Sequence, residues 1–302
     1  MLTRAPAKIN LHLSVGMPRL DGFHDLTTVF QAVGLYDDVL LTRAEQPSVA
    51  VEGLEGSAEV LDVPLDASNL AVRAVALLAQ RTGNDAAVAV RITKGIPVAG
   101  GCAGWSADAA AVLVGADALW GCGLTKDELA AMAAELGSDV PFSLHGGTAL
   151  GTGRGERLTP VLEQGDYSWV LAISDVGLST PSVYRELDRQ RETGPVAIVR
   201  DTSEVLAALR RGDPVALGRA LGNDLQAAAL TLQPQLRRLM DAGRDLGALG
   251  AVVSGSGPTV ALLARDETHG VALAAALAGQ GICSSVRRAD GPVAGARVLE
   301  AS

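Results

Sequence analysis

The sequence predicts an α+β chain of two domains. Residues 1–160 form an α/β half, and residues 161–302 form a half whose helices sit on one face of an antiparallel sheet. Three observations carry that expectation. At 302 residues the chain is long enough for two cores, and 48% hydrophobic content with only 3% aromatic means that alanine, valine and leucine must fill them as helices packed on sheets. Residues 87–119 read as a strand, a glycine-rich loop and a helix. Strand and helix signals then alternate to the end of the chain from Trp169, without internal repeats or low-complexity tails.

Residues 7–15 alternate, with Ile9, Leu11, Leu13 and Val15 on one side and Lys8, Asn10, His12 and Ser14 on the other, the period of a strand. Taken alone, the polar side reads as a solvated sheet face. Pro18, Asp21 and Gly22 supply a turn, and Phe23 and His24 put an aromatic ring and an imidazole side by side after it. Strands are expected at residues 26–33, 39–43 and 49–52. Asp66 or Ser68 can cap a helix through Arg81 that buries Leu70, Val75 and Leu78. Thr125 and Glu128 form a capping box for a helix ending near Gly137. Asp139 then opens another short helix, either as its cap or as a carboxylate held near an anion site. Residues 146–155 read as a strand and turn, and a boundary is expected at residues 160–166.

In the second half, a strand at residues 169–174 leads to Thr180-Pro181, a helix-opening pair with Tyr184 one turn in. Three helices are expected in residues 202–246, two of them starting at Asp213-Pro214 and Gln233-Pro234. Strands at 251–253 and 260–263 flank the turn Ser254 to Thr259, and a helix at 267–278 precedes a strand at 283–287. That order is ferredoxin-like.

The loop from Lys94 to Ala111 reads as a phosphate cradle. Gly100, Gly101 and Gly104 have no Cβ, so the backbone can approach a ligand closely with several N–H groups exposed together. Ser106 and Asp108 fall where a helix begins, and a helix N-terminus stabilises an anion through its unpaired N–H groups and partial positive charge. The glycines match neither G-x-x-x-x-G-K-[ST] nor G-x-G-x-x-G, so a plain strand-to-helix connection stays open on this stretch alone. Trp105, in the middle of the loop, must either pack outward or obstruct the anion.

The net charge of -9 and pI near 5.0 argue against a nucleic-acid partner, which needs clustered cations. Cys102, Cys122 and Cys283 are odd in number, far apart and without a C-x-x-C pair, the pattern of free thiols in a reducing cytoplasm. The N-terminus has no signal-sequence pattern, and the longest uncharged stretch, residues 246–264, is broken by glycines, serines and Pro258, so no membrane span is expected.

Three motifs now combine: Pro6-Ala7-Lys8-Ile9-Asn10-Leu11, the cradle from Pro97, and Ser254-Gly255-Ser256-Gly257-Pro258-Thr259. In that order the chain resembles the GHMP small-molecule kinases. The resemblance implies a two-domain GHMP kinase fold, a nucleotide-binding first domain and a ferredoxin-like second domain, with the active site in the cleft between them. Within the family, Asp21 to His24, Leu26 to Gln31 and the stretch Gly137 to Phe142 are similar to the branch that phosphorylates a cytidine diphosphate derivative of methylerythritol in the non-mevalonate isoprenoid route. ATP and Mg2+ are then the implied cofactors, and the partner is a small molecule, with the protein a monomer or homodimer.

The resemblance also implies roles. Asp139 would be the base that takes the proton of the tertiary hydroxyl, Lys8 would hold that carboxylate and polarise the hydroxyl, and Asn10 would assist. ATP would lie on Pro97, Val98, Ala99, Gly100, Gly101, Cys102, Ala103, Gly104, Trp105, Ser106 and Ala107, with Lys94 and Asn69 near the adenine. His24 would read the cytosine edge between Phe23 and Tyr184, walled by Thr180 and Pro181. Gly255, Ser256 and Gly257 would support the substrate or phosphate end. No residue is assigned to a metal.

This chain departs from the family pattern in the cradle, where Cys102, Ala103 and Trp105 interrupt a near-continuous glycine run. Phe23 and Tyr184 also exchange the family's usual aromatics, which keeps a stacking surface. Two alternatives follow: a cytidine-ligand-binding protein whose use of ATP is impaired by Trp105, or a GHMP kinase acting on homoserine or mevalonate.

Overall fold

Two long strands set the frame of the first half: β1 (Leu2–Pro18) and β2 (His24–Arg43), paired antiparallel from Leu2↔Leu40 to Pro18↔His24. The computed structural model describes residues 1–53, 64–98, 100–174, 176–194 and 201–299. Strands expected separately at 26–33 and 39–43 are one, because a bulge opposite Pro6 and Ala7 takes up Gly34 and Leu35 and pairing resumes at Tyr36. There follow β3 (Ser48–Gly53), α1 (Leu70–Thr82), β4 (Val88–Lys94), α2 (Gly104–Trp120), α3 (Lys126–Leu136), α4 (Val140–His145), β5 (Thr148–Gly153) and β6 (Arg157–Pro160). The second half runs β7 (Tyr167–Ile173), α5 (Thr180–Thr193), α6 (Ser203–Arg211), α7 (Pro214–Ala220), β8 (Gly222–Asn223), α8 (Gln226–Leu232), α9 (Gln235–Asp245), β9 (Gly250–Val253), β10 (Val260–Leu263), α10 (Glu267–Gln280), β11 (Ser285–Gly291) and β12 (Arg297–Val298).

The strands make two sheets. One has eight strands, with β12-β1-β2-β4-β3 as its path, β5 and β6 joined through β2, and β8 parallel to β1. The other has four, in the order β11-β7-β10-β9 with every pair antiparallel, which is the ferredoxin-like arrangement. α2 is the central helix of the first half. Its run of small and aliphatic residues from Ala107 to Ala116 is buried against β1, β2, α1 and α4.

Several local expectations change in the folded chain. The polar side of β1 is not solvated: Lys8 is 5% exposed, Asn10 2% and His12 0%, because β8 pairs with β1 at His12 and Leu13 and the second half covers that face. The cap of α1 is Asn69, whose Oδ1 accepts from Ala71 N at 2.8 Å, while Asp66 bonds Ser68 instead. Residues 203–245 carry four helices rather than three, since β8 interrupts the run where the chain crosses to β1. The capping box of Thr125 and Glu128 forms as read. No helix among the described residues is long and apolar enough to cross a membrane.

Candidate active site

Lys8 and Asn10 are two residues apart on β1, so their side chains share one face of the strand. Lys8 Nζ donates to Asn10 Oδ1 at 2.8 Å, Asn10 Nδ2 donates to Thr28 Oγ1 at 2.8 Å, and Thr28 Oγ1 donates to the carbonyl of His12 at 2.7 Å. This chain leaves the ammonium one fixed position, 5.5 Å above the Phe30 ring and 3.7 Å from Asp139 Oδ2. Asp139 stands at the N-cap position of α4, yet its side chain makes no cap bond there and remains about a third exposed, facing the cleft.

The cradle is folded against both of its neighbours. Lys8 N donates to the carbonyl of Cys102 at 3.1 Å, and Ser254 Oγ donates to the carbonyl of Gly101 at 3.1 Å. Gly101 has φ +72°, and a Cβ there would meet the Ser254 carbonyl at 2.4 Å, so only glycine lets the first and third motifs close on each other. Ala103 follows with φ 59°, the one positive-φ residue other than glycine among those described, and turns the chain into α2. It offers no side-chain cap, so the first N–H groups of α2 remain without a partner from that position. Asn223 on β8 steadies the third motif by donating to the carbonyls of Val253 and Gly255, each at 2.7 Å.

These pieces enclose an inner cavity of about 390 Å³ lined by Lys8, Asn10, Asp139, Pro97, Gly100, Gly101, Ala103, Gly104, Trp105, Ser106, Thr180, Tyr184 and Gly255 to Gly257. An outer cavity of about 580 Å³ continues from it, lined by Phe23, His24, Pro181, Arg185 and Asp188. Both share Leu26, Ser106, Asp139, Arg154, Thr180 and Tyr184. In the outer cavity His24 Nε2 lies 3.0 Å from Asp188 Oδ1, and the His24 and Tyr184 rings are 5.1 Å apart. Burial, with the charge of Asp139 second, pushes the Tyr184 phenol above its ordinary pKa, so it faces the cleft as a neutral donor.

Not every residue expected in the nucleotide site lines it. Cys102 and Ala107 are fully buried behind the loop, Val98 is half-buried and outside the lining, and Ala99 lies outside the described residues. Burial raises the Cys102 thiol, with Thr259 and Lys8 opposing, so this cysteine is packing rather than a reactive thiolate. Asn69 and Lys94 are the clearer departures. Both side-chain ends of Asn69 are engaged, in the α1 cap and in a bond to the carbonyl of Pro64. Lys94 is 3% exposed, with its Nζ 2.5 Å from Asp37 and 2.8 Å from Asp108. Asp37 in turn accepts from Gly95 N and Ile96 N, so the trio pins the entrance of the cradle from beneath.

Sequence reasoning missed Asp188, Arg154, Asp37 and Asn223. No local pattern marks them, since each acts on a partner brought near by the fold.

Two family models match the chain, GHMP kinases N terminal domain over residues 69–147 and GHMP kinases C terminal over residues 205–283. The 4-diphosphocytidyl-2-C-methyl-D-erythritol kinase of Nocardia farcinica (strain IFM 10152) is 57% identical over 300 residues, covering 99% of this chain and 96% of that one. The enzyme of the same name from Mycobacterium tuberculosis (strain ATCC 25177 / H37Ra) is 51% identical over 298 residues, with 99% and 92% covered. A crystal structure of 4-(cytidine 5'-diphospho)-2C-methyl-D-erythritol kinase superposes with TM-score 0.75 at 32% identity, over 96% of this chain and 98% of that one. The homoserine kinase of Cytophaga hutchinsonii reaches the same TM-score of 0.75 at 19% identity, which is a likeness of fold alone. Identity above one half along nearly the whole length, on a chain carrying both GHMP domains, places it: this chain belongs to the 4-diphosphocytidyl-2-C-methyl-D-erythritol kinases of the GHMP kinase family.

Proposed function

We propose that this protein transfers the γ-phosphoryl group of ATP to the 2-hydroxyl of 4-diphosphocytidyl-2-C-methyl-D-erythritol, with Asp139 as the base and Lys8 as its partner. One observation carries the reading: Lys8 and Asp139, 3.7 Å apart, face the same cavity as the uncapped first turn of α2. Phosphoryl transfer asks mainly for positioning and charge stabilisation. The Asp139 carboxylate takes the hydroxyl proton, the oxygen attacks the γ-phosphorus, and the bond to the β–γ bridging oxygen breaks, releasing ADP. The Lys8 ammonium, held by Asn10, keeps the carboxylate aimed and offsets the negative charge at the attacking oxygen. The N–H groups of residues 104–106 and of the third motif face the phosphates.

Mg2+ fits this site as a cation that arrives with the nucleotide. Among the described residues no three His, Cys, Asp or Glu side chains gather to hold a metal. Magnesium keeps waters and binds through substrate phosphates with one or two carboxylates, and Asp139 is the carboxylate available in the inner cavity. When bound, it would neutralise charge on the transferred group.

The outer cavity suits the cytosine. With the Asp188 carboxylate accepting from His24 Nε2–H, the other ring nitrogen, Nδ1, is left to meet the exocyclic amine. Phe23, 51% exposed, and Tyr184 offer the stacking rings, and Thr180 and Pro181 close the wall. Asp188→Ala is expected to raise KM for this substrate roughly three- to tenfold with kcat nearly unchanged, read from initial rates. A change in kcat alone would show that His24 serves chemistry instead. The reading extends to a cytoplasmic enzyme, monomer or homodimer, divided near residue 160, with no nucleic-acid or membrane partner.

ADP release with ATP, magnesium and the cytidine substrate, against a control without substrate, tests the whole reading. Substrate-dependent ADP supports it. A folded protein that binds the cytidine ligand but releases no ADP would make it a binding protein whose cradle is blocked by Trp105. That indole is 40% exposed on the first turn of α2 and forms part of the inner wall. Trp105→Gly is expected to leave KM for ATP within about threefold, since a 40% exposed indole has room to turn outward, with roughly 0.5 kcal/mol lost from the helix. A large gain in ATP affinity would show obstruction.

A further inference from the structure

The hairpin of β5 and β6 carries an arginine that the reaction just described does not use. Arg154 lies at the hairpin tip, between Gly153 at φ +74° and Gly155 at φ +102°, where its N–H donates to the Glu156 carboxylate at 2.6 Å. β5 pairs with the start of β2 at Leu26↔Gly153, which brings the tip beside the loop holding Phe23. The Arg154 guanidinium lies over the Phe23 ring, 5.1 Å from its centroid. Among the described residues it forms no ion pair, although Asp139 and Asp188 share the cleft and are engaged by Lys8 and His24. Arg154 is exposed at the rim of the cleft of a chain with net charge -9, so its guanidinium is available to an anion that enters from outside.

Its position says which anion. On the kinase reading, the substrate stretches from a cytosine at Phe23, His24 and Tyr184 to a hydroxyl at Asp139, and two phosphates join the ends. Those phosphates must cross the junction of the two cavities. Of the six residues common to both walls, Arg154 is the one with a positive charge. A guanidinium also suits the task, since its planar fork can bond two phosphate oxygens while its face rests on an aromatic ring, which a lysine cannot do. We infer that Arg154 is the residue that binds the bridging diphosphate of the substrate, fixing the distance between the cytosine pocket and the reacting hydroxyl. The inference rests on the kinase reading, and it adds a specificity determinant: ligands with the nucleoside but no diphosphate lose this contact.

Calorimetric titration with CDP and with cytidine tests it, using the full chain and the variants Arg154→Gln, Arg154→Lys and Arg185→Gln. Arg185 lines only the outer cavity and bonds Ser182, so it is the matched surface cation. Arg154→Gln is expected to weaken CDP on the order of tenfold or more while cytidine stays within about twofold. Arg154→Lys recovers part of the loss, and Arg185→Gln changes CDP by less than Arg154→Gln. With the complete substrate, KM rises by a similar factor and KM for ATP stays put. CDP binding within twofold of the unaltered protein, an equal loss for cytidine, or a rise confined to KM for ATP would each overturn the assignment. If the unaltered protein binds neither CDP nor cytidine, the kinase reading itself falls and this assignment with it.

Discussion

Asp139→Asn is expected to lower kcat by on the order of 10²- to 10⁴-fold while CDP still binds and the circular dichroism is unchanged. The amide keeps the shape of the side chain and removes its capacity to accept the proton. Folding should tolerate the change, because Asp139 caps nothing with its side chain and is about a third exposed. Lys8→Met is the paired experiment. It removes the ammonium from a residue 5% exposed and leaves Asn10 Oδ1 without its donor, so some stability is lost along with kcat. The two losses should be far from additive, since the residues act as one unit. Turnover retained in Asp139→Asn would remove the assigned base.

Lys94→Met is expected to destabilise the protein by about 3–5 kcal/mol, lowering the melting temperature by roughly 10 °C. The ammonium stands between two buried carboxylates, 2.5 Å from Asp37 and 2.8 Å from Asp108, and its loss leaves both uncompensated in a dry site. Burial works against the charge on Lys94, but Asp108 and Asp37 outweigh it and raise its pKa above the ordinary lysine value. Its contribution to stability is therefore complete below that ordinary value and disappears as the pH rises through the raised one. Asp37 shifts in the same direction, since burial first, then Asp108, raise its carboxyl well above the usual range with Lys94 opposing, so its ionisation also costs stability as the pH rises. Adding Asp37→Asn and Asp108→Asn to Lys94→Met should recover much of the loss, because a neutral trio leaves no unpaired charge. Unchanged melting with a raised KM for ATP would instead return Lys94 to the nucleotide site, the role expected from the family resemblance.

Much of this was legible before any fold was known. The alternation of Ile9, Leu11, Leu13 and Val15, the capping box at Thr125 and the strand and helix order after Trp169 are short-range patterns. Each follows from the backbone periods of strands and helices, so each forms as read, apart from β8 and the fourth helix in residues 203–245. The three motifs, with Lys8, Asp139 and the glycine loop, were visible in the same way, and family resemblance supplied their proposed roles. Composition likewise indicated helices packed on sheets by small aliphatic residues, and α2 is built that way.

What the tertiary structure alone decided is which side chains meet. Lys8 and Asn10 look like a solvated face in sequence, and they are buried because the turn at Gly255, more than two hundred residues away, closes over them. Asp188 finds His24 across 164 positions, and Arg154 finds Phe23 because β5 returns to the edge of β2. Lys94 reads as a cation at the cradle's entrance, and only the fold shows Asp37 and Asp108 already holding it. The physical reason is the same in each case. A backbone period is a property of neighbours along the chain, whereas burial and charge pairing depend on where distant segments pack, and no local pattern encodes that distance.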